Sequence, residues 1–98
     1  MSCECIDIVK GTSWFDTVDQ EHIPLEIINN CDFDANLNIN VSTNQEMLYS
    51  ARIRIPSLSK HKIEIITDKY YEALNVNIGL IKEENKEICR KSIKILLR

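Results

Sequence analysis

Apolar side chains recur at every second residue through most of this chain, and that period confines what the chain can fold into. Ala35, Leu37, Ile39 and Val41 alternate with Asn36, Asn38, Asn40 and Ser42. Tyr49, Ala51, Ile53 and Ile55 alternate with Ser50, Arg52 and Arg54, and Leu74, Val76, Ile78 and Leu80 with Asn75, Asn77 and Gly79. Successive side chains of a β-strand point to opposite faces, so each run describes a ribbon with one greasy and one wet side. A helix needs apolar residues at i, i+3, i+4 and i+7, and no eleven-residue window fits that template better than the alternating one.

The alternation predicts seven strands, over residues 4–10, 22–30, 35–43, 47–56, 60–68, 72–83 and 87–97. A single helical turn capped by Asp68 fits within 67–75. The intervening segments carry turn chemistry. Asn29-Asn30-Cys31-Asp32-Phe33-Asp34 is rich in residues that make Asx turns, and Pro56 ends a strand because it has no N–H to donate. Ser42–Glu46 reads as a polar hairpin loop, and Lys82–Glu87 as a charged tip between the last two strands. Residues 11–21 form one longer connection. Loops this short leave no room for crossover helices, which argues against a parallel sheet. The expected fold is all-β, a seven-strand antiparallel β-sandwich occupying residues 1–98 as one domain.

The order of strand, Asn-rich turn, long strand, the Ile53-Arg54-Ile55-Pro56 strand end and a following Lys62-Ile63-Glu64-Ile65 strand resembles fibronectin-III and related bacterial or viral immunoglobulin-like modules. The likeness spans residues 22–97. It implies an immunoglobulin-like sandwich, although the Cys…Trp…Cys core of antibody domains is absent. Fold likeness alone carries no function.

Composition supports a β fold. Sixteen isoleucines dominate an apolar fraction of 44%, and β-branched Ile suits a pleated surface. The net charge of −3 is unevenly spread. Residues 1–49 hold nine acids and Lys10 alone, whereas residues 50–98 hold eleven bases and six acids. Interleaving of the halves within one small sandwich would neutralise most of this asymmetry.

No secretory leader pattern opens the sequence, and no apolar run exceeds three residues, so neither export nor a membrane span is expected. That reading places the chain in the cytoplasm, with Cys3, Cys5, Cys31 and Cys89 as free, buried thiols. The Asn40-Val41-Ser42 sequon would then stay silent.

No constellation of catalytic residues stands out. Cys3 and Cys5 are separated by one residue, too close for the usual zinc pair. His22 and His61 read as surface histidines, with no nucleophile motif beside them. Asp16, Asp19, Glu21, Asp32 and Asp34 gather in loops without the remaining ligands of a calcium site. Gly11 and Gly79 are the only glycines, which excludes a glycine-rich phosphate loop. The chain is therefore expected to be non-enzymatic, with no cofactor and no metal.

What remains is recognition chemistry. Arg52 and Arg54 would share one solvent face with Lys60 and Lys62 if their strands form a hairpin, and Arg90, Lys91, Lys94 and Arg98 lie on the last strand. Such a set can grip phosphates, but the chain is acidic overall and poor in interleaved aromatics, so nucleic acid is not the expected partner. The aromatic pairs Trp14-Phe15 and Tyr70-Tyr71 offer anchors, since Trp, Tyr and Arg dominate interface hot spots. Neighbours in an extended chain point oppositely, so one of each pair should be exposed. The expected partner-binding residues are Trp14, Phe15, Arg52, Arg54, Lys62, Tyr70 and Tyr71. The reading is a protein–protein interaction module, with edge-strand addition also permitting a homodimer. A short, Ile-rich chain of this kind fits a phage or viral accessory protein, or an inhibitor of a host protein. The alternative is a carbohydrate or small-ligand module, with aromatic rings stacking on sugars and Asn36, Asn38 and Asn40 bonding hydroxyls.

Overall fold

The computed structural model describes residues 3–82 and 86–98. Residues 83–85, the middle of the expected charged tip, lie outside the described residues, as do Met1 and Ser2. The strands are β1 (Ile6–Lys10), β2 (Trp14–Phe15), β3 (Glu21–Asn29), β4 (Ala35–Ser42), β5 (Met47–Ile55), β6 (Lys60–Thr67), β7 (Ala73–Lys82) and β8 (Lys86–Leu96). The alternating runs become β1 and β3–β8, each within two residues of its expected bounds. The eighth strand, β2, lies in the segment read as a connection. No helical turn forms over 67–75. Thr67 Oγ1 instead accepts from the Lys69 N–H at 3.1 Å, and the chain bends into β7.

All pairings are antiparallel, in two sheets. In the first, β6 lies along one side of β3, and β1 and β2 follow one another along the other side. The second has the order β5-β4-β7-β8. Alternate residues of both sheets turn inward to one shared core, including Ile23, Leu25 and Ile27 of β3, Leu37 and Ile39 of β4, and Leu74, Val76 and Ile78 of β7. This is a sandwich-like arrangement, built directly by the period-two pattern. At about 1.5–3 kcal/mol for each fully buried aliphatic side chain, this layer supplies the main drive to fold.

The expected hairpin of β5 and β6 does not exist. Pro56-Ser57-Leu58-Ser59 carries the chain from the second sheet to the first, so β5 pairs with β4 and β6 with β3. Asp34 fixes this crossing, accepting from the Ser57 N–H at 2.9 Å and from Arg54 at 2.7 Å. Asn29, fully buried at the end of β3, donates to the carbonyls of Ile55 and Phe33 and accepts from the Cys31 N–H. One amide thus ties three passes of chain together. Alternation assigns the faces of a strand but not its neighbour, which is why the hairpin expectation failed.

The cysteines also differ from expectation. All four are paired, Cys3 with Cys89 and Cys5 with Cys31, at Cα separations of 5.9 and 5.0 Å. These distances fall within bridging range, and only the sheet pairing brings such distant residues together. The two bridges fasten the segment before β1 to β8 and to the loop after β3. Lys91, on the inward side of edge strand β8, reaches across to the Ile6 carbonyl at 2.9 Å. An inward lysine on an edge strand also discourages pairing with another chain.

The charge asymmetry resolves by interleaving. Among the described residues, five of the eight ion pairs join an acid of residues 1–49 to a base of residues 50–98, such as Asp34–Arg54, Glu46–Lys69 and Glu21–Arg98.

Candidate functional site

The strands converge at one end on β2, the start of β3, the end of β6 and the ends of the β7–β8 pair. Trp14, Phe15, Tyr70 and Tyr71 lie there. The two residues of β2 pair with the first two of β3, Trp14 opposite His22 and Phe15 opposite Glu21. Trp14 therefore lies on the outer face, stacked on the His22 ring with centroids 3.8 Å apart. Phe15 turns the other way, towards Tyr70, at 6.4 Å between near-parallel rings.

His22 is held between two carboxylates. Its Nδ1 lies 2.7 Å from Glu64 Oε1 and its Nε2 2.8 Å from Asp16 Oδ2. The bond to Glu64, then that to Asp16, raises the imidazole pKa above its usual 6.5. His22 in turn lowers the Asp16 carboxyl pKa, with help from the Gln20 N–H. The other oxygen of Asp16 accepts from the Val18 and Gln20 N–H groups, folding the loop between β2 and β3 into an Asx-type turn.

Glu21 begins β3 facing inward and is almost fully buried. Arg98 neutralises it with two parallel hydrogen bonds, Nη1 donating to Oε2 at 3.0 Å and Nη2 to Oε1. The same guanidinium lies 3.5 Å from the centroid of Tyr70, a cation–π contact. Tyr71 is buried and donates its hydroxyl to Glu46, which also accepts from Lys69 at 2.8 Å. Lys69 first, then Tyr71, lowers the Glu46 pKa. Glu46 raises that of Tyr71 in return.

Tyr70 separates two open clefts. One, of about 400 Å³, is lined by Asn44, Gln45, Tyr71, Asn75 and Lys94 as well as Tyr70. The other, of about 250 Å³, lies between Phe15 and Tyr70, with Asp19 and Asp68 among its walls.

Of the expected site residues, Phe15 and Tyr70 meet while Trp14, next to Phe15 in the chain, faces the other way, and Trp14, Phe15 and Tyr70 are exposed by 49, 54 and 70%. Tyr71 is instead a buried prop. The cations do not join them. Arg52 and Arg54 face outward from the second sheet, with Arg52 bonded to Asn38 and Arg54 to Asp34. Lys60 and Lys62 face outward from the first sheet, so the expected four-cation face is split between opposite sides of the molecule. Arg90 pairs with Glu87, Lys91 reaches β1, and Arg98 pairs with Glu21.

Sequence reasoning missed the roles of His22, Glu21 and Arg98, and the exposed Val18 and Ile66 near Trp14. Their signal was faint. Ile66 breaks the alternation by adding an apolar residue to an outer face, directly opposite His22. No helix long and apolar enough to cross a membrane occurs among the described residues.

No protein family and no curated protein matches the chain. Nine chains of solved structures do. Among them, the X-ray structure of Northeast Structural Genomics Consortium target SoR45 is similar at a TM-score of 0.53 and 10% identity, over 93% of this chain and 84% of that one. A likeness at this identity supports the fold and nothing further.

Proposed function

We propose that this chain is a non-enzymatic protein-binding module whose contact surface is the aromatic end of the sandwich. One observation carries the reading. Among the described residues, seven of the nine exposed large hydrophobics (Trp14, Phe15, Val18, Met47, Ile66, Tyr70 and Leu96) belong to the loops and strand ends of this one end. Scattered apolar residues need no explanation, but a gathering of this kind on a small protein marks an interaction surface. Its aromatic members are the residue types that anchor interfaces. Three ionisable groups at this end are already spoken for, His22 by two carboxylates, Glu21 by Arg98 and Glu46 by Lys69 and Tyr71, which favours a scaffold over an acid–base machine.

The strand pairing supports an immunoglobulin-like module of the fibronectin-III kind. Seven principal strands divide into β1, β3 and β6 against β5, β4, β7 and β8, with β2 as a short continuation of β1 along β3. The two disulfides favour an oxidising compartment over the cytoplasm. An accessory or inhibitory protein acting outside the cytosol, on a virion or cell surface, fits both features. The nine-residue edge strand β5 offers a route to a homodimer, since none of its inward side chains is charged.

The test is partner capture by the wild-type chain compared with Trp14→Ala, Phe15→Ala and Tyr70→Ala. Leu58→Ala, at an exposed hydrophobic of the opposite end, is the control. Binding that survives all three aromatic truncations, or falls equally with Leu58→Ala, would refute this surface.

A second reading, carbohydrate binding, is favoured by the 400 Å³ cleft beside Tyr70, where the amides of Asn44, Gln45 and Asn75 border an aromatic wall. A glycan array probed with the wild-type chain and with Tyr70→Ala decides it. Signals insensitive to Tyr70 would end the idea.

A further inference from the structure

The aromatic end has a charge as well as a shape. Asp16, Asp19, Glu21, Glu46, Asp68 and Glu72 lie in its loops and strand ends, against Lys69, Lys94 and Arg98. Six carboxylates against three lysine and arginine cations and His22 leave this end negative, in a chain of net charge −3. Several of these charges are consumed internally. Asp16 is held by His22, Glu21 by Arg98, and Glu46 by Lys69. Asp19 and Asp68 make no ion pair among the described residues, and both border the cleft of about 250 Å³ between Phe15 and Tyr70. The one lysine of that cleft, Lys69, is directed to Glu46. The cleft thus combines two exposed aromatic rings with two uncommitted carboxylates.

This combination has a defined complement. A planar guanidinium stacks on an aromatic ring while donating hydrogen bonds in its own plane to carboxylate oxygens, which an ammonium cannot do equally well. The protein already uses the arrangement once. Arg98 lies 3.5 Å from the centroid of Tyr70 while its fork engages Glu21. That internal triad shows that Tyr70, placed beside a carboxylate, accommodates an arginine. From the cleft and the sign of its rim, we infer that the protein partner lays an arginine side chain into the cleft bordered by Phe15 and Tyr70, with Asp19 and Asp68 receiving its charge. The inference rests on the protein-binding reading above and names the chemistry of the partner. Exposed Val18, next to Asp19 in the chain, would cover an apolar residue flanking that arginine.

A random dodecapeptide library displayed on phage and selected on the disulfide-intact chain tests this without a known partner. Peptides that need Tyr70 are recognised by their loss on Tyr70→Ala, which alters an exposed side chain. They are expected to be enriched in arginine flanked by apolar residues. Binding of the best peptide should fall about fivefold or more on the Asp19→Asn/Asp68→Asn double variant, and as much when its arginine is replaced by the neutral isostere citrulline. Tyr70-dependent peptides with no arginine bias, or with unchanged affinity for the double variant, would overturn the arginine while leaving the protein-binding surface standing. Recovery of no Tyr70-dependent peptide would remove both.

Discussion

Trapped between Glu64 and Asp16 and covered by Trp14, His22 keeps its proton to higher pH than an imidazole in water. The sign of the consequence follows. A folded-state pKa raised above 6.5 gives a stabilisation fully present below the unfolded value and lost as pH rises through the folded one. Asp16, whose pKa is lowered, contributes oppositely. Its share is present above the unfolded carboxyl range and is lost on acidification through the folded value. The Tm difference between the wild-type chain and His22→Gln should therefore be largest near about pH 6 and shrink towards about pH 9, a trend that thermal melts at several pH values would expose. Trp14 is the only tryptophan, so its fluorescence should follow the same transition and lose it in His22→Gln. Arg98 acts more simply. Its truncation to Ala leaves the Glu21 carboxylate buried without a counter-charge, for a loss on the order of 3 kcal/mol in urea unfolding. Arg98→Lys should recover part of it, because a lysine keeps the charge but not the two-pronged geometry. Neither role was legible in the sequence. His22 read as an exposed histidine and Arg98 as one of several cations on a last strand. The partners that redefine them, at residues 64 and 21, become neighbours only once strand register is set.

Strands were the most readable level of organisation, because a half-buried ribbon forces its own pattern on the chain. Ile39 of β4 and Ile66 of β6 show how far that pattern reaches. The first sits on the aliphatic side of the cleanest run, and its side chain is fully buried between sheets. The second falls on the wet side of its strand and is half exposed. Ile39→Ala should cost about 2–5 kcal/mol through lost burial and a residual cavity, and Ile66→Ala less than about 0.5 kcal/mol, as denaturant titrations would measure. An equal cost at both positions would contradict the assignment of faces. Which strand lies beside which was not readable, since period two says nothing about neighbours. The tight Pro56–Ser59 connection looked like a hairpin and is a crossing between sheets. The two-residue β2 was invisible for a related reason. A strand so short has no period, and it exists because β3 has an open edge beyond the end of β1.

For the molecule as a whole, the two bridges add a large increment to the stability that the core supplies. The Cys3–Cys89 link closes a loop spanning most of the chain, and Cys5–Cys31 a shorter one. Loss of either should cost about 2–5 kcal/mol, with the longer loop giving the larger loss in a chain-entropy account. Urea unfolding with and without reductant measures the total, and the paired Cys3→Ser/Cys89→Ser and Cys5→Ser/Cys31→Ser variants separate the two. A thiol-reactive dye should label no cysteine in the native chain and four after reduction. Sequence context pointed to thiols because pairing is a property of the assembled sheets, and the spacing of cysteines along the chain does not reveal it. The bridges cluster where β3 ends, whereas the aromatic residues surround its beginning, about 30 Å away along nine extended residues. Reductive damage would accordingly start at the pole opposite the proposed binding surface, so this protein should tarnish in its clasp before its aromatic end is disturbed.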